Sequence, residues 1–170
     1  MKYLIIILIL TSFISCNITK DNKTDKTNKS DKPGNKMNVN FDKSMEVILP
    51  AEPGMDWLFG KNYKNWTPSD DDIETASQLF VYGFEDQKRG TVNRVLYRTP
   101  EEYYKQFVGA IDSAGDKIIW INCFCKKEAD TFKDWKDRII RVSDGGNCFI
   151  NVKTNISKNK YTEFNVNGGP

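Results

Sequence analysis

Lys117-Ile-Ile-Trp-Ile-Asn-Cys-Phe-Cys125 is the stretch whose reading decides the fold. It is almost wholly apolar and rich in β-branched and aromatic residues. A turn precedes it and a charged run follows, so it reads as a buried central strand. Alternation puts Ile119, Ile121, Cys123 and Cys125 on one face and Ile118, Trp120, Asn122 and Phe124 on the other. A strand apolar on both faces needs cover on both faces.

The segments on either side supply that cover. Asp112-Ser113-Ala114-Gly115-Asp116 is a turn, which makes Tyr103–Ile111 the antiparallel partner of the central strand. Thr99-Pro-Glu-Glu102 before it carries a capping box, read as at most one helical turn. Thr67-Pro-Ser-Asp-Asp-Asp72 has the residues of a helix start: a hydroxyl cap, a proline for the first turn and carboxylates at the positive end of the dipole. From there Ile73, Ala76, Phe80, Gly83 and Phe84 recur at spacings of three and four, one face of a helix running to Lys88 or Arg89 with Gly90 as its stop. Leu79 and Tyr82 widen or flank that face.

After the central strand, Phe132 and Trp135 are spaced to anchor a short helix, and Ile139–Val142 is a short strand candidate. Asp144-Gly-Gly-Asn147 is a turn. Cys148–Thr154 then alternates, with Cys148, Ile150 and Val152 inward and Phe149, Asn151 and Lys153 outward; Tyr161–Val166 is the last strand. Before the helix, Met45–Leu49 is a further strand candidate. The aromatics Trp57, Phe59, Tyr63 and Trp66 form a lid over the core edge or line a ligand groove. The expected fold class is α+β: one long helix packed on an antiparallel sheet of about four strands, in a single domain over residues 41–170.

Residues 1–40 read differently. Lys2 followed by the apolar Tyr3–Leu10 has the pattern of a targeting signal, and the run is short of the ~20 apolar residues of a membrane span. Phe13-Ile14-Ser15-Cys16 resembles the lipobox of bacterial lipoproteins, with Phe13 where leucine is usual. The resemblance implies a signal peptide over residues 1–15 and an S-acylated Cys16 (palmitate or a similar chain) as the mature N-terminus. It implies a lipid-anchored protein of the cell envelope. Asn17 is not the aspartate that retains such proteins in an inner membrane, which points to the outer membrane or cell surface. Residues 17–40, with lysines at 20, 23, 26, 29, 32 and 36 interleaved with Asp21, Asp25 and Asp31, hold too little apolar surface to fold and read as a polar tether. The remaining domain is close to neutral, which argues against a general nucleic-acid binder.

Three further resemblances rest on short stretches. The helix-then-strands order is similar to cystatin-like folds, and Gln106-Phe-Val-Gly-Ala110 resembles the Gln-x-Val-x-Gly loop of cystatin protease inhibitors, with Ala110 in place of the last glycine. In cystatins that loop is a hairpin tip, whereas here the tip is the Asp112–Asp116 turn that follows. Asp112-Ser113-Ala114 resembles an O-glycan acceptor pattern of some bacterial envelope proteins. Asp144-Gly-Gly-Asn-Cys-Phe-Ile-Asn-Val-Lys153, with Asn167-Gly168, resembles the C-terminal halves of small uncharacterised bacterial lipoproteins and brings no activity with it.

The chain has no histidine, which removes Ser-His and Cys-His nucleophile pairs and histidine metal sites. Gly145-Gly146 lacks the lysine and following helix of a phosphate loop. Asp70, Asp71 and Asp72 point in different directions on a helix, so dipole compensation accounts for them. With Cys16 acylated, three cysteines remain. Cys148 bonds to Cys123 or Cys125 in an oxidising compartment, or all three stay reduced as small hydrophobes, or one is a redox thiol beside Lys126. Three cysteines fall short of a closed zinc site.

The expectation is a non-enzymatic binding or interaction module without catalytic residues, metal or cofactor. Its partners would be the membrane, through the lipid, and a protein or small ligand. The alternatives are a thiol-dependent redox protein or enzyme using Cys123 or Cys125, and a hydrolase-inhibitor or immunity-type module.

Overall fold

The computed structural model describes residues 43–89 and 98–168. The targeting signal, Cys16, the tether and Gly90 lie outside the described residues. The architecture is mixed α and β: a six-stranded sheet with one long helix across one face.

Strands β1 (Glu46–Leu49) and β2 (Lys64–Asn65) flank a four-residue helix, α1 (Asp56–Phe59). The long helix α2 spans Asp70–Arg89. A single helical turn, Pro100–Glu102, leads into β3 (Tyr103–Ile111), followed by β4 (Lys117–Cys125), β5 (Phe149–Asn155) and β6 (Lys160–Val166). The order is β1-β3-β4-β5-β6, and β2 shares with β1 the outer edge of β3.

Strands β3 to β6 form the antiparallel sheet expected, and the correction lies at its edge. β1 pairs in parallel with Lys105–Val108, and β2 pairs antiparallel with Ala110–Ile111. The sheet is therefore six-stranded and mixed, not four-stranded and antiparallel. The reason is backbone accounting: β3 is buried along most of its length, and its outer edge needs partners for its N–H and C=O groups.

Helix α2 starts as its sequence dictates. The Ser69 hydroxyl accepts from the Asp72 amide at 3.3 Å, and the Ser69 amide donates back to the Asp72 carboxylate at 3.0 Å. The helix lays Ala76, Phe80 and Phe84, all without solvent exposure, against Phe107, Ile119, Ile121, Ile150 and Val152. Leu79 and Ser77 are buried as well. Gly109 allows the chain entering α2 to cross β3 closely, because a Cβ there would stand 2.5 Å from the Trp66 carbonyl oxygen and 2.7 Å from the Pro68 ring.

The opposite face of the sheet is covered by the short helix α1 and by irregular chain. Met55, Leu58 and Phe59 pack with Val108, Ile118 and Trp120. Trp135, Phe132 and Tyr104 pack around Phe124. Three local expectations change here. Phe132 and Trp135 sit in successive turns rather than a helix, and Ile139–Val142 is not a strand. Cys148 lies in a short helical turn just ahead of β5, and Phe149, expected outward, is 7% exposed beneath Phe132. Outward on β5 means toward this second layer rather than toward water.

Candidate functional site

The site begins with two buried amides. Gln106 on β3 and Asn122 on β4 face each other across the hairpin on the side away from α2, 0% and 5% exposed. The Gln106 side-chain NH2 donates to the carbonyls of Trp135 at 2.5 Å and Arg138 at 2.7 Å. Its carbonyl oxygen accepts from the Ile140 amide at 2.9 Å and the Asn122 side chain at 2.8 Å. Asn122 also donates to the Ile140 carbonyl at 2.7 Å. These bonds give segment 135–140 the partners that a strand would have taken from a neighbouring strand, which is why its β-branched run is not one.

Where this cover ends, a groove of about 240 Å³ opens between Trp57, Trp120, Arg141, Asn151 and Asn167. Trp57 is 64% exposed, and its ring stands nearly perpendicular to Trp120 at a centroid distance of 6.0 Å. Asn167 donates to the Val142 carbonyl at 2.8 Å, and Arg141 pairs with Glu52 at 2.8 Å on the rim. No carboxylate lines the groove among the described residues.

The cysteines are placed by the two strand ends. Cys125 closes β4 and Cys148 precedes β5, with Cα atoms 4.9 Å apart and their sulfurs bonded. Cys123 is the free thiol among the described residues. It is fully buried on the α2 side, and burial pushes its pKa up to about 12. Its cross-strand partner is Lys105, 2% exposed, whose ammonium donates to the Tyr103 carbonyl at 3.3 Å and lies 3.9 Å from Glu46. Burial holds the Lys105 pKa below its ordinary value. A nucleophilic thiol needs the thiolate at working pH and a path to solvent, and Cys123 has neither. Cys125, Cys148 and Glu128 offer ligand atoms within 4.8 Å of one another, but two of the three are the joined sulfurs and supply no thiolate.

Other candidate residues are dispersed. Asp70 to Asp72 sit in the first turn of α2, as dipole compensation requires. In the turn before β3, the Glu102 carboxylate accepts from the Thr99 amide at 2.7 Å. Ser113 is exposed at the β3–β4 tip, where Asp112 accepts from the amides of Ala114 and Asp116, both at 2.9 Å. The segment resembling the cystatin loop lies inside β3, with Gln106 fully buried, so it is not a tip that enters a protease cleft. Among the described residues no helix is long and apolar enough to cross a membrane.

Sequence reasoning named Trp57 as lid or groove residue but passed over Gln106, Asn122, Asn151 and Asn167 as a set. A signal for the first two was present: Gln106 and Asn122 stand equally far from the Asp112–Asp116 turn, so a tight hairpin must set them opposite each other. No family model matches this chain, and it matches no curated protein and no solved structure.

Proposed function

We propose that this chain is a lipid-anchored cell-envelope protein whose domain is a non-enzymatic binding module. The observation that carries the binding reading is the incompletely covered sheet face, where an exposed tryptophan and side-chain amides border a groove of about 240 Å³. The lipid anchor rests on the Phe13–Cys16 lipobox-like stretch, and the polar tether gives the domain reach from a membrane surface. Asn17 after the acylated cysteine favours the outer membrane or cell surface. We read α2 with the antiparallel strands β3 to β6 as a cystatin-like arrangement; the helix-first order and the hairpin connections support it, and the parallel β1 is an addition to it. The burial of Cys123 and the Cys125–Cys148 bond speak for a binding role over thiol chemistry.

Two measurements on the full chain test this reading. Metabolic labelling with an alkyne analogue of palmitate should mark the protein and fail to mark Cys16→Ser; equal labelling of both removes the anchor. In-cell crosslinking followed by affinity capture should recover one macromolecule near one-to-one. A blank there, with rapid alkylation of a native thiol, would turn the reading to the redox alternative.

A further inference from the structure

Gln106 and Asn122 are the first two members of a longer row. The strand register sets Gln106 opposite Asn122, Asn122 opposite Asn151, and Asn151 opposite Asn165. Four side-chain amides therefore stand side by side across β3, β4, β5 and β6, on the face away from α2. At about 4.8 Å per strand the row is about 14 Å long. Its two halves differ. Gln106 and Asn122 are buried and bonded to the backbone of segment 135–140. Asn151, half-buried at the groove, and Asn165, exposed on the edge strand, make no side-chain hydrogen bond among the described residues.

We propose that the open half of this row, Asn151 at the groove it shares with Trp57 and Asn165 next to it on β6, is a docking site for an extended polypeptide segment of a partner protein. This deepens the binding-module reading and rests on it. The first argument is continuity. The molecule already uses the same row to hold irregular backbone, and a side-chain amide presents the donor and acceptor that a peptide C=O and N–H require. The second is the anchor: a tryptophan 64% exposed, backed by the buried Trp120, is the kind of large side chain that dominates interface energetics. The third is charge. Among the described residues, the cation lining the groove, Arg141, is already paired with Glu52, and Lys153, next to Asn151 on the same face of β5, is paired with Glu163, so the opening favours a neutral polar chain over an ionic ligand. The fourth is size: about 240 Å³ takes one anchoring side chain, and it is below the about 300–1,000 Å³ of pockets that enclose a drug-sized ligand or cofactor.

The test uses the full chain and two probes: a phage-displayed library of random linear dodecapeptides, and a panel of neutral saccharides including chitohexaose and cellohexaose. Selected peptides should bind with an affinity that falls at least ~10-fold in Trp57→Ala and ~5-fold in Asn151→Ala. They should also lose affinity when single backbone amides are N-methylated along the stretch that crosses the row. Neither substituted side chain hydrogen-bonds to another described residue, so thermal unfolding should show both variants folded; Asn165→Ala, one strand further out on β6, gives a third reading of the same row. Peptides that bind wild type and variants equally, or a library with no enrichment, overturn the proposal. If a saccharide binds instead and Trp57→Ala abolishes it, the peptide class is wrong and the binding-module reading stands. Blanks with both probes and in the crosslinking experiment remove both.

Discussion

The two faces of the sheet solve the same problem with different chemistry. The α2 face is closed by a helix whose backbone groups are satisfied internally, so the strands beneath it can present Phe107, Ile119, Ile121, Ile150 and Val152 and need offer no polar partner. The other face is closed by loops whose carbonyls and amides would be orphaned on burial, so the strands beneath present Gln106 and Asn122 at the points where those groups land. Cover by regular structure calls for apolar side chains, whereas irregular cover calls for amides. The same comparison explains why, among the described residues, one face is covered less completely than the other. A 20-residue helix shields its face as a unit, while the loops cover Phe149 at the start of β5 and leave Asn151 half-buried and Asn165 exposed beyond it.

The sharpest way to break the helix face is Phe84→Ala. Phe84 is fully buried and meets Phe80, Tyr103 and Phe164 in edge-on contacts. Chemical denaturation should show a loss of about 3–5 kcal/mol, the range for large-to-small aromatic substitutions in cores. On the opposite face, Gln106→Leu keeps the volume and removes the polarity, leaving the Trp135 and Arg138 carbonyls and the Ile140 amide without their partner. At about 1–3 kcal/mol per orphaned group, with relaxation of the loop recovering part, a net loss of about 3 kcal/mol is expected. Hydrogen exchange tells the two apart: Gln106→Leu should expose the Ile140 amide while Ile119 and Ile121 stay protected. Uniform loss of protection would mean that the loop cover is not a separate layer.

The disulfide belongs to this second layer, since it closes the excursion that carries the loop cover. With Cys125 and Cys148 separated by 23 positions in sequence, chain-entropy estimates assign it about 3 kcal/mol. The paired variant Cys125→Ala/Cys148→Ala should lose about that much, and its first loss of exchange protection should fall in residues 126–147 rather than in α2. Protection lost first in α2 would show that the bond serves the helix face instead.

Much of this was legible in order along the chain. The Lys117–Cys125 run is apolar at every position but Asn122 once its first lysine is passed, and it duly has cover on both faces. Helix α2 announced itself through Ser69, Asp72 and a period that buries Phe80 and Phe84. The Asp112–Asp116 turn fixed the hairpin. What was hidden depends on partners distant in sequence. Four residues of β1 and two of β2 carry too little pattern to reveal a parallel or an edge pairing. Ile139–Val142 has strand composition, but Gln106 and Asn122 took its backbone bonds. Asn151 joins the amide row only through a register set across the disulfide-closed excursion, and Asn165 through a hairpin with a shift at Lys153/Thr154. No spacing in the sequence encodes those offsets.

Alkaline pH separates the faces through ionisable groups on the helix side. Burial pushes Cys123 from 9.0 to about 12 and Tyr103 from 10.0 to about 12. Both keep their protons in the folded state after the unfolded chain has released them. Their contribution is therefore full below pH 9 and is lost as pH rises toward 12. Lys105 acts with the opposite sign: its lowered pKa means that the unfolded chain binds the proton longer, so its charge-burial cost fades as pH approaches 10.5. Cys123→Ala isolates the thiol. Between pH 9 and 10 its stability should fall less steeply than that of wild type, and parallel curves would mean that the thiol is not sealed beneath α2.

The smallest effect belongs at the open end of the second face. Trp57 is 64% exposed and its edge-on contact with Trp120 is its one aromatic contact among the described residues. Trp57→Ala should change stability by no more than about 0.5 kcal/mol, as expected for a surface position outside any network. A large exposed tryptophan that contributes little to folding has its use elsewhere, and the groove it shares with Asn151, whose amide makes no side-chain hydrogen bond among the described residues, is where that use would lie. A loss of several kcal/mol in chemical denaturation would reverse that inference: Trp57 would then belong to the cover of Trp120, and the second face would be as closed as the first.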